Sequence, residues 1–309
     1  MSIIEKALAK QKAKQKTDDN KSSIEQAVEN KKQTTKNNNA EITKAEFNTD
    51  NSATNPVKTV SVDNGDIILD KKSLNKRGFM FDGTCRRQAQ EEFRGIKRKL
   101  LNNAFGSAAK TLDHSNLIMV TSSNPNEGKT FISINLALSI ALEQDKTVLL
   151  IDADVLRPSI NRELEFSHRN GLLEYLLSEV TSLSDIIYST NIKNLKIVPA
   201  GKPHNLTNEL LASDKMAALA KELAERYPDR IVIFDCPPIL GVTETPVLAN
   251  LMGQAIVVVE ESKTKLDDVI RATGQLNEDL AIGLIMNKTL KSTRESYGYY
   301  GYGYGSQAK

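Results

Sequence analysis

The residues best suited to chemistry are Gly128, Lys129 and Thr130, at the junction of a predicted strand and a predicted helix. Residues 117–120 form the short apolar run of a buried strand, and an apolar helix is predicted to follow the loop. Glycine lets a backbone approach a phosphate, and successive loop amides point at the anion. In such loops the lysine reaches the β- and γ-phosphates, and the threonine hydroxyl ligates magnesium. The spacing therefore predicts binding of a nucleoside triphosphate.

One position departs from the common phosphate-loop pattern GxxxxGK[ST], because its first glycine falls on Ser123. Pro125 restricts the loop and partly compensates for the missing glycine. The alternative interpretation is an ordinary turn with a solvated lysine, but the flanking strand and helix make it the weaker one. We expect the nucleotide to contact Asn126, Glu127, Gly128, Lys129, Thr130 and Phe131.

Three carboxylates end the next two predicted strands. Asp152 and Asp154 follow the apolar run 147–151, and Asp235 ends the run that begins at Ile231. In an open parallel sheet, ligands bind at the carboxyl ends of the strands. An aspartate after a strand often caps the helix or turn that follows, and this alternative would account for one of them. It does not account well for three aspartates beside a phosphate loop. These residues predict a site for magnesium and for a water molecule or hydroxyl group.

The rest of the core alternates between helical and strand patterns, as an array of βαβ units does. Helices are predicted at 91–104, 172–177 and 206–226, and at 265–280. Further strands are predicted at 195–198, 255–259 and 282–286. This order predicts an α/β fold with a doubly wound, mainly parallel sheet of the P-loop NTPase type and flanking helices.

Composition divides the chain into three parts. Residues 1–75 are rich in Lys, Gln, Asn, Thr, Asp and Ser without a sustained apolar period, which predicts a mostly disordered arm. Residues 76–290 have a normal size for one α/β domain. Residues 291–309 form a Gly/Tyr-rich tail that we expect to be flexible.

Composition also limits the location and the partners. Two cysteines, Cys85 and Cys236, provide no disulfide framework, which favours a reducing compartment. No apolar run approaches the roughly 20 residues of a membrane-spanning helix, and no secretory signal is present. We therefore expect a cytoplasmic protein. A net charge of +2 gives no reason to expect binding to nucleic acid.

Together these motifs resemble the bacterial tyrosine kinases, or BY-kinases, over residues 88–309. The similarity lies in Walker A, Walker A′ and Walker B segments and in a segment around a PAG turn, at residues 123–130, 149–158, 231–238 and 198–213 respectively. The sequences DADV and FDCPP, together with Glu244, are most similar to those of the stand-alone kinases associated with exosortase-linked exopolysaccharide loci. The resemblance implies an ATP-dependent and Mg²⁺-dependent protein-tyrosine kinase.

The resemblance also implies roles for individual residues. Lys129 holds the phosphates, and the magnesium ligands come from Thr130, Asp152 and Asp235. Either Asp152 or Asp154 accepts the tyrosine proton, with Asp152 favoured as the base and Asp154 as a metal or positioning partner. Asn287 follows a strand where related folds recognise adenine.

Some positions depart from the family pattern. Leu156 stands where many members carry a basic residue, and Glu244 where many carry aspartate. Glu91, Arg94 and Lys97 resemble the family's ExxRxxR helix, which implies self-assembly into a ring, although lysine cannot reproduce the bidentate contact of arginine. A solvated helix face is the alternative.

The tail contains five of the eight tyrosines of the chain, interleaved with glycine. Glycine removes a helix or strand preference, so the phenols can reach the active site of a neighbouring copy. The alternative is a low-complexity segment that is not phosphorylated. Behind this loop domain we favour phosphoryl acceptors at Tyr297, Tyr299, Tyr300, Tyr302 and Tyr304.

The amino-terminal arm carries a repeat, because residues 2–12 and 22–32 align without gaps and each begins with S-x-x-E. That pattern starts helices, and each copy carries a small apolar stripe. We interpret the copies as two short docking helices for a separate membrane-embedded polysaccharide co-polymerase, which would recruit the chain to the inner face of the membrane. Chance similarity in a biased tract is the alternative. The family resemblance also implies a phosphotyrosine phosphatase.

Two other functions fit parts of the sequence. A partitioning ATPase of the related deviant P-loop group usually carries a second lysine early in the loop, and residues 124–127 contain none. A P-loop ATPase that regulates polysaccharide chain length without significant kinase activity stays open, since intact motifs do not report turnover. Phosphotyrosine content separates the second alternative from a kinase.

Overall fold

The structure is a computed structural model that describes residues 65–81, 87–204, 207–227 and 229–289. The two amino-terminal repeats, Cys85 and the five tail tyrosines lie outside the described residues. The predictions that concern them therefore stay predictions.

The described residues build one seven-stranded sheet in the order β3-β4-β2-β5-β1-β6-β7. The strands are β1 (Leu117–Ser122), β2 (Thr147–Asp152), β3 (Tyr188–Ser189), β4 (Leu195–Val198), β5 (Arg230–Asp235), β6 (Gln254–Glu260) and β7 (Ala281–Asn287). Neighbouring strands are parallel except for β3, which pairs antiparallel to β4. The predicted fold class is confirmed.

Helices cover both faces of the sheet. They are α1 (Lys71–Lys76), α2 (Arg87–Phe105), α3 (Lys129–Ala141), α4 (Ile160–Glu163), α5 (Leu172–Leu176), α6 (Thr207–Leu211), α7 (Asp214–Arg226), α8 (Glu244–Ala249) and α9 (Leu266–Thr273). One apolar core contains residues of α1 to α4, and the other contains residues of α5 to α9. Most positions of α3 are buried, since it lies between the sheet and α2. None of the helices in the described part of the chain combines the length and apolar character needed to span a bilayer.

The expected domain boundary at residue 75 is wrong. Ile67, Leu69 and Leu74 are almost fully buried and belong to the core on the α3 side of the sheet. The backbone amide of Ile67 donates to the carbonyl of Ser189 at 2.8 Å, so this segment also covers the outer edge of β3. The polar composition around these few apolar residues concealed their packing.

Two predicted helices are shorter than expected. The region 206–226 divides into α6 and α7, because the Ser213 side chain accepts a hydrogen bond from the amide of Met216 and starts a new helix. The helix expected over 265–280 ends at Thr273, before Gly274. Sequence patterns locate helices better than they locate helix ends.

Candidate active site

The phosphate loop joins β1 to α3 and depends on two left-handed backbone conformations. Gly128 precedes the first residue of α3 with φ 96°, and Asn126 has φ 67°. A Cβ atom on Gly128 would lie 2.1 Å from Nδ2 of Asn287, so a side chain would be both strained and obstructed there. Glycine is therefore required at this position by conformation and by space.

Ser123 occupies the position of the missing first glycine without backbone strain. It is fully buried and is not among the residues with positive φ. Within the described residues its Oγ has no hydrogen-bond partner. The departure from the common pattern is tolerated because the backbone does not need a left-handed residue here.

Thr130, in the first turn of α3, is linked to the end of β5. Its hydroxyl donates to Oδ2 of Asp235 at 2.6 Å, and Ser133 donates to Oδ1 of the same carboxylate at 3.0 Å. Oγ of Ser159 lies 2.8 Å from Oγ1 of Thr130. Burial raises the pKa of Asp235 against the opposing effects of Lys129 and Thr130. The helix start and the strand end are thus tied through one buried carboxylate.

Lys129 forms an ion pair with Asp154, whose Oδ2 lies 2.5 Å from Nζ. Burial of this lysine opposes its charge, but the carboxylates Asp235, Asp154 and Asp152 outweigh burial, so its pKa lies above the ordinary value. The lysine is therefore a fixed cation beside the loop amides and the N-terminus of α3. Such a combination binds anions.

Asp152 organises the turn after β2. Its Oδ1 accepts from the amide of Asp154 at 3.2 Å, and its Oδ2 accepts from the amides of Ser159 and Ile160 at 3.0 Å each. Burial, followed by the charge of Asp235, raises the pKa of Asp152 to about 8. This carboxylate holds the backbone that presents Asp154 and Ser159.

A cavity of about 630 Å³ opens beside these residues. Of the three carboxylates, Asp154 lines it, together with Lys129 and Thr130. Asp152 and Asp235 are 1% and 0% exposed and lie behind this wall.

Phe131 also lines the cavity and packs against Phe79, with ring centroids 5.5 Å apart.

The oxygen atoms of this site suit magnesium bound jointly with phosphates. Within the described ranges, no group of three or more His, Cys, Asp or Glu side chains is arranged to hold a metal by itself. Magnesium in phosphate sites usually takes one or two protein oxygens and completes its shell with water and phosphate. Thr130 and Asp235, which are already in contact, fit that description.

A second set of side chains braces the loop from the opposite direction. The buried Glu127 accepts from the amide of Asn124 at 3.0 Å and from the hydroxyl of Thr264 at 2.5 Å. Thr264 in turn accepts from the amide of Glu260 at 2.9 Å. The segment between β6 and α9 therefore fixes the loop, and the sequence did not reveal Thr264, because it lies 137 positions from Glu127.

The end of β7 completes this brace. Asn287 donates through Nδ2 to the carbonyl of Glu127 at 2.9 Å, and Lys288 donates to the carbonyl of Asn126 at 2.7 Å. Lys288 also pairs with Glu260 at 2.9 Å. Asn287, expected to contact adenine, is engaged here with the loop backbone.

The helix expected to mediate self-assembly presents two of its three predicted residues. Glu91 and Arg94 are exposed and pair with each other at 2.5 Å. Lys97 is buried, forms an ion pair with Glu143 at 2.5 Å and donates to the carbonyl of Ser139 at 3.1 Å. Its assignment to an assembly surface is wrong, because it fastens α2 to α3.

Comparisons with known proteins show which proteins this chain is similar to. A family model described as "AAA domain" matches residues 115–268. Tyrosine-protein kinase YwqD of Bacillus subtilis is 33% identical over 213 residues, which cover 68% of this chain and 86% of that protein. The putative tyrosine-protein kinase CapB of Staphylococcus aureus is 30% identical over 212 residues, covering 68% and 89%.

A solved structure supports the same similarity. The tyrosine kinase domain of BceF is 27% identical with a TM-score of 0.55, over 64% of this chain and 76% of that one.

Proposed function

The chain belongs to the family of bacterial tyrosine-protein kinases, and on this premise we propose that it transfers the γ-phosphoryl group of ATP to tyrosines of its own C-terminal tail. One observation carries the proposal. Lys129 and Thr130 begin α3 at a cavity wall, within bonding distance of Asp154 and Asp235 respectively. These are the groups that phosphoryl transfer requires: fixed cations, oxygen ligands and a carboxylate beside the nucleophile.

Lys129 and the loop amides hold the β- and γ-phosphates in this proposal. The buried lysine has Asp154 as its partner at 2.5 Å, so the phosphates compete with that carboxylate for the cation. Phosphate binding then releases Asp154 to face the cavity as a free carboxylate. Positioning and charge neutralisation account for most of the rate in such reactions.

Thr130 and Asp235 are the residues that would hold magnesium. The ion, when bound, neutralises charge on the phosphates. Ser133 keeps Asp235 oriented through its hydrogen bond at 3.0 Å, so the threonine and the carboxylate keep their relative position.

We assign the proton acceptor to Asp154. The family resemblance favours Asp152, but Asp152 is not among the residues that line the cavity and accepts three backbone hydrogen bonds, whereas Asp154, itself 3% exposed, lines the cavity. A general base must reach the proton that it removes. Asp152 is then a positioning residue that holds the turn presenting Asp154.

The acceptors in this proposal are Tyr297, Tyr299, Tyr300, Tyr302 and Tyr304 of a second copy. The tail follows β7, whose last residue contacts the phosphate loop. Each tail therefore starts near the carboxyl ends of the strands, where the proposed reaction occurs. Transfer in trans lets a neighbouring tail enter the cavity. Each phosphate adds about −1.5 to −2 charges and makes the tail self-repelling.

The biological role follows as part of the same proposal. The chain would act in the cytoplasm at the inner face of the membrane, recruited by a membrane-embedded polysaccharide co-polymerase, and its phosphorylation state would regulate exopolysaccharide polymerisation and export. Copies would assemble into a ring, and a phosphotyrosine phosphatase would reset the tail.

The test is the intact mass of the purified chain with and without Mg-ATP, followed by mapping of the peptide after Arg294. We expect phosphate on residues 297–304 in the natural chain and in the control Lys221→Met, which changes an exposed lysine of α7. We expect no phosphate on these residues in the Lys129→Met variant, and a cooperative melting transition should show that this variant is folded. Phosphotyrosine retained in Lys129→Met would falsify the proposed role of the loop. ATP hydrolysis without phosphotyrosine in the natural chain would favour the chain-length regulator.

A further inference from the structure

Strand β7 forms an open edge of the sheet with apolar side chains on it. It pairs with β6 on one side, and no strand of the described residues pairs with its other side. Ile282, Leu284 and Met286 are 40%, 58% and 61% exposed. An edge strand with unpaired amides and exposed apolar side chains is a template for another strand.

The three side chains share one face of the sheet. Ala255 lies opposite Ile282 and Val257 lies opposite Leu284, and both β6 residues belong to the core that includes Ala272 of α9. Neighbours across parallel strands point to the same side. The exposed β7 side chains therefore lie on the α9 side, beyond the area that the helix covers.

Two residues of α9 extend this apolar surface. Leu266 and Ile270, one helical turn apart, are 72% and 59% exposed. The opposite edge of the sheet differs, because residues 65–69 cover β3 there through backbone hydrogen bonds. One edge is thus covered by the chain itself, and the other is open and apolar.

The chain outside the structure begins at the end of this open edge. Thr289 is the last described residue, and residues 290–309 follow. In that segment Tyr300, Tyr302 and Tyr304 recur at every second position with glycine between them. An extended segment with this period places the three aromatic rings on one face.

We propose that residues 300–304 add an antiparallel strand to the open edge of β7 in the unphosphorylated chain. The spacing of two among the tyrosines matches the spacing of Ile282, Leu284 and Met286. In the matching register Tyr300 lies beside Met286, Tyr302 beside Leu284 and Tyr304 beside Ile282. Aromatic and aliphatic side chains directly opposite on one face stabilise a strand pair.

The connection permits this arrangement. Residues 288–299 form the loop between β7 and the added strand, and at about 3.3 Å per residue they reach well beyond the roughly 23 Å length of β7. An antiparallel return needs only a loop, whereas a parallel one needs a longer crossover. Tyr297 and Tyr299 fall in the loop and stay accessible.

Phosphorylation removes the added strand, because a phosphate carrying about −1.5 to −2 charges cannot rest on aliphatic side chains without a cationic partner. The docking itself is independent of the proposed kinase activity, and only its release by phosphate depends on that function. The open edge is therefore a resting place for acceptor tyrosines, and the docked tail protects this edge from pairing with other chains.

The test compares two full-length variants that cannot be phosphorylated on the tail. One changes all five tail tyrosines to phenylalanine, and the other changes them to serine. We expect amide hydrogen exchange in β7 to be about threefold or more slower in the phenylalanine variant, because only that variant keeps the aromatic face. Equal exchange in the two variants would overturn the proposal, whatever the kinase assay shows.

Two further measurements identify the occupant. Leu284→Lys in the phenylalanine variant should raise exchange in β7 to the level of the serine variant, and a lysine is tolerated because Leu284 is largely exposed. Dilution should leave the protection unchanged. Protection that disappears on dilution would assign the edge to the tail of a second copy and overturn docking within one chain.

Discussion

Two groups of side chains contact the phosphate loop, and they differ in charge and origin. The acidic group, Asp152, Asp154 and Asp235, comes from the ends of β2 and β5 and approaches Lys129 and Thr130. The bracing group is defined as Glu127, Thr264, Asn287 and Lys288. Glu127 belongs to the loop, and the other three residues contact the loop from the ends of β6 and β7.

The difference separates chemistry from loop shape. Asp154 and Thr130 line the cavity and can touch a substrate, whereas Glu127 and Thr264 bond to each other and to backbone. Loss of an acidic residue should therefore lower kcat. Loss of a bracing residue should raise KM for ATP with little change in kcat, because a less ordered loop binds phosphates less well.

Asp154→Asn should have the largest effect. The amide keeps the shape of the side chain but cannot accept a proton, so we expect kcat to fall by about 10²–10⁴-fold. ADP affinity should be kept, because Lys129 loses its competing carboxylate. Steady-state kinetics and calorimetry measure the two quantities.

Asp152→Asn is the matched comparison. We expect a smaller loss of kcat, since an amide cannot accept all three backbone hydrogen bonds and therefore holds the turn that presents Asp154 less firmly. A larger kcat loss in Asp152→Asn than in Asp154→Asn would move the proton acceptor to Asp152.

The acidic group could be predicted from the sequence, and the bracing group could not. Asp152, Asp154 and Asp235 follow apolar strands, and parallel strands bring their carboxyl ends to one edge. Thr264 and Lys288 contact residues 137 and 162 positions away, and no local pattern encodes such a pair. Glu127 and Asn287 were expected at the site, but their bonds to the loop were not.

The same limit explains the errors elsewhere. Lysine is usually a surface residue, but the side chain of Lys97 is buried and pairs with Glu143, which follows the end of α3. Residues 65–75 read as a polar arm, but three of their apolar side chains pack in the core. Tertiary partners decide both cases.

The stability of the protein should depend on pH, because two buried carboxyls of the acidic group, Asp152 and Asp235, have raised pKa values. Asp152 titrates near 3.8 when unfolded and at about 8 when folded, so between these values the folded protein holds a proton that the unfolded chain has released. Raising the pH from 6 to 8 should lower the stability of the nucleotide-free protein by on the order of 2 kcal/mol. Urea unfolding at several pH values measures this.

The control for this prediction comes from the bracing group. Asp152→Asn should flatten the pH dependence, whereas Thr264→Val should keep the natural slope. A slope unchanged in Asp152→Asn would show that the raised pKa of this residue does not govern stability.

Thr264→Val tests the brace directly. The valine keeps the shape of the side chain but removes the hydrogen bonds to Glu127 and from Glu260. This loss should destabilise the ordered conformation of the loop by about 1–2 kcal/mol. We expect KM for ATP to rise about 5–30-fold with kcat nearly unchanged. Thr264→Ser keeps the hydroxyl and should behave like the natural protein. A fall in kcat without a rise in KM would assign Thr264 to the chemical step.

The smallest effect should come from Lys288, because its side chain is 46% exposed and exposed ion pairs contribute little. Lys288→Met removes both the bond to the Asn126 carbonyl and the pair with Glu260, and we expect KM for ATP to rise only about two- to fivefold. Lys263→Met is the matched control, since Lys263 also pairs with Glu260, at 3.2 Å, but does not bond to the loop. If both variants raise KM equally, the charge on Glu260 matters and the bond to the loop does not. A rise confined to Lys288→Met would show that the bond from Lys288 to the Asn126 carbonyl supports phosphate binding.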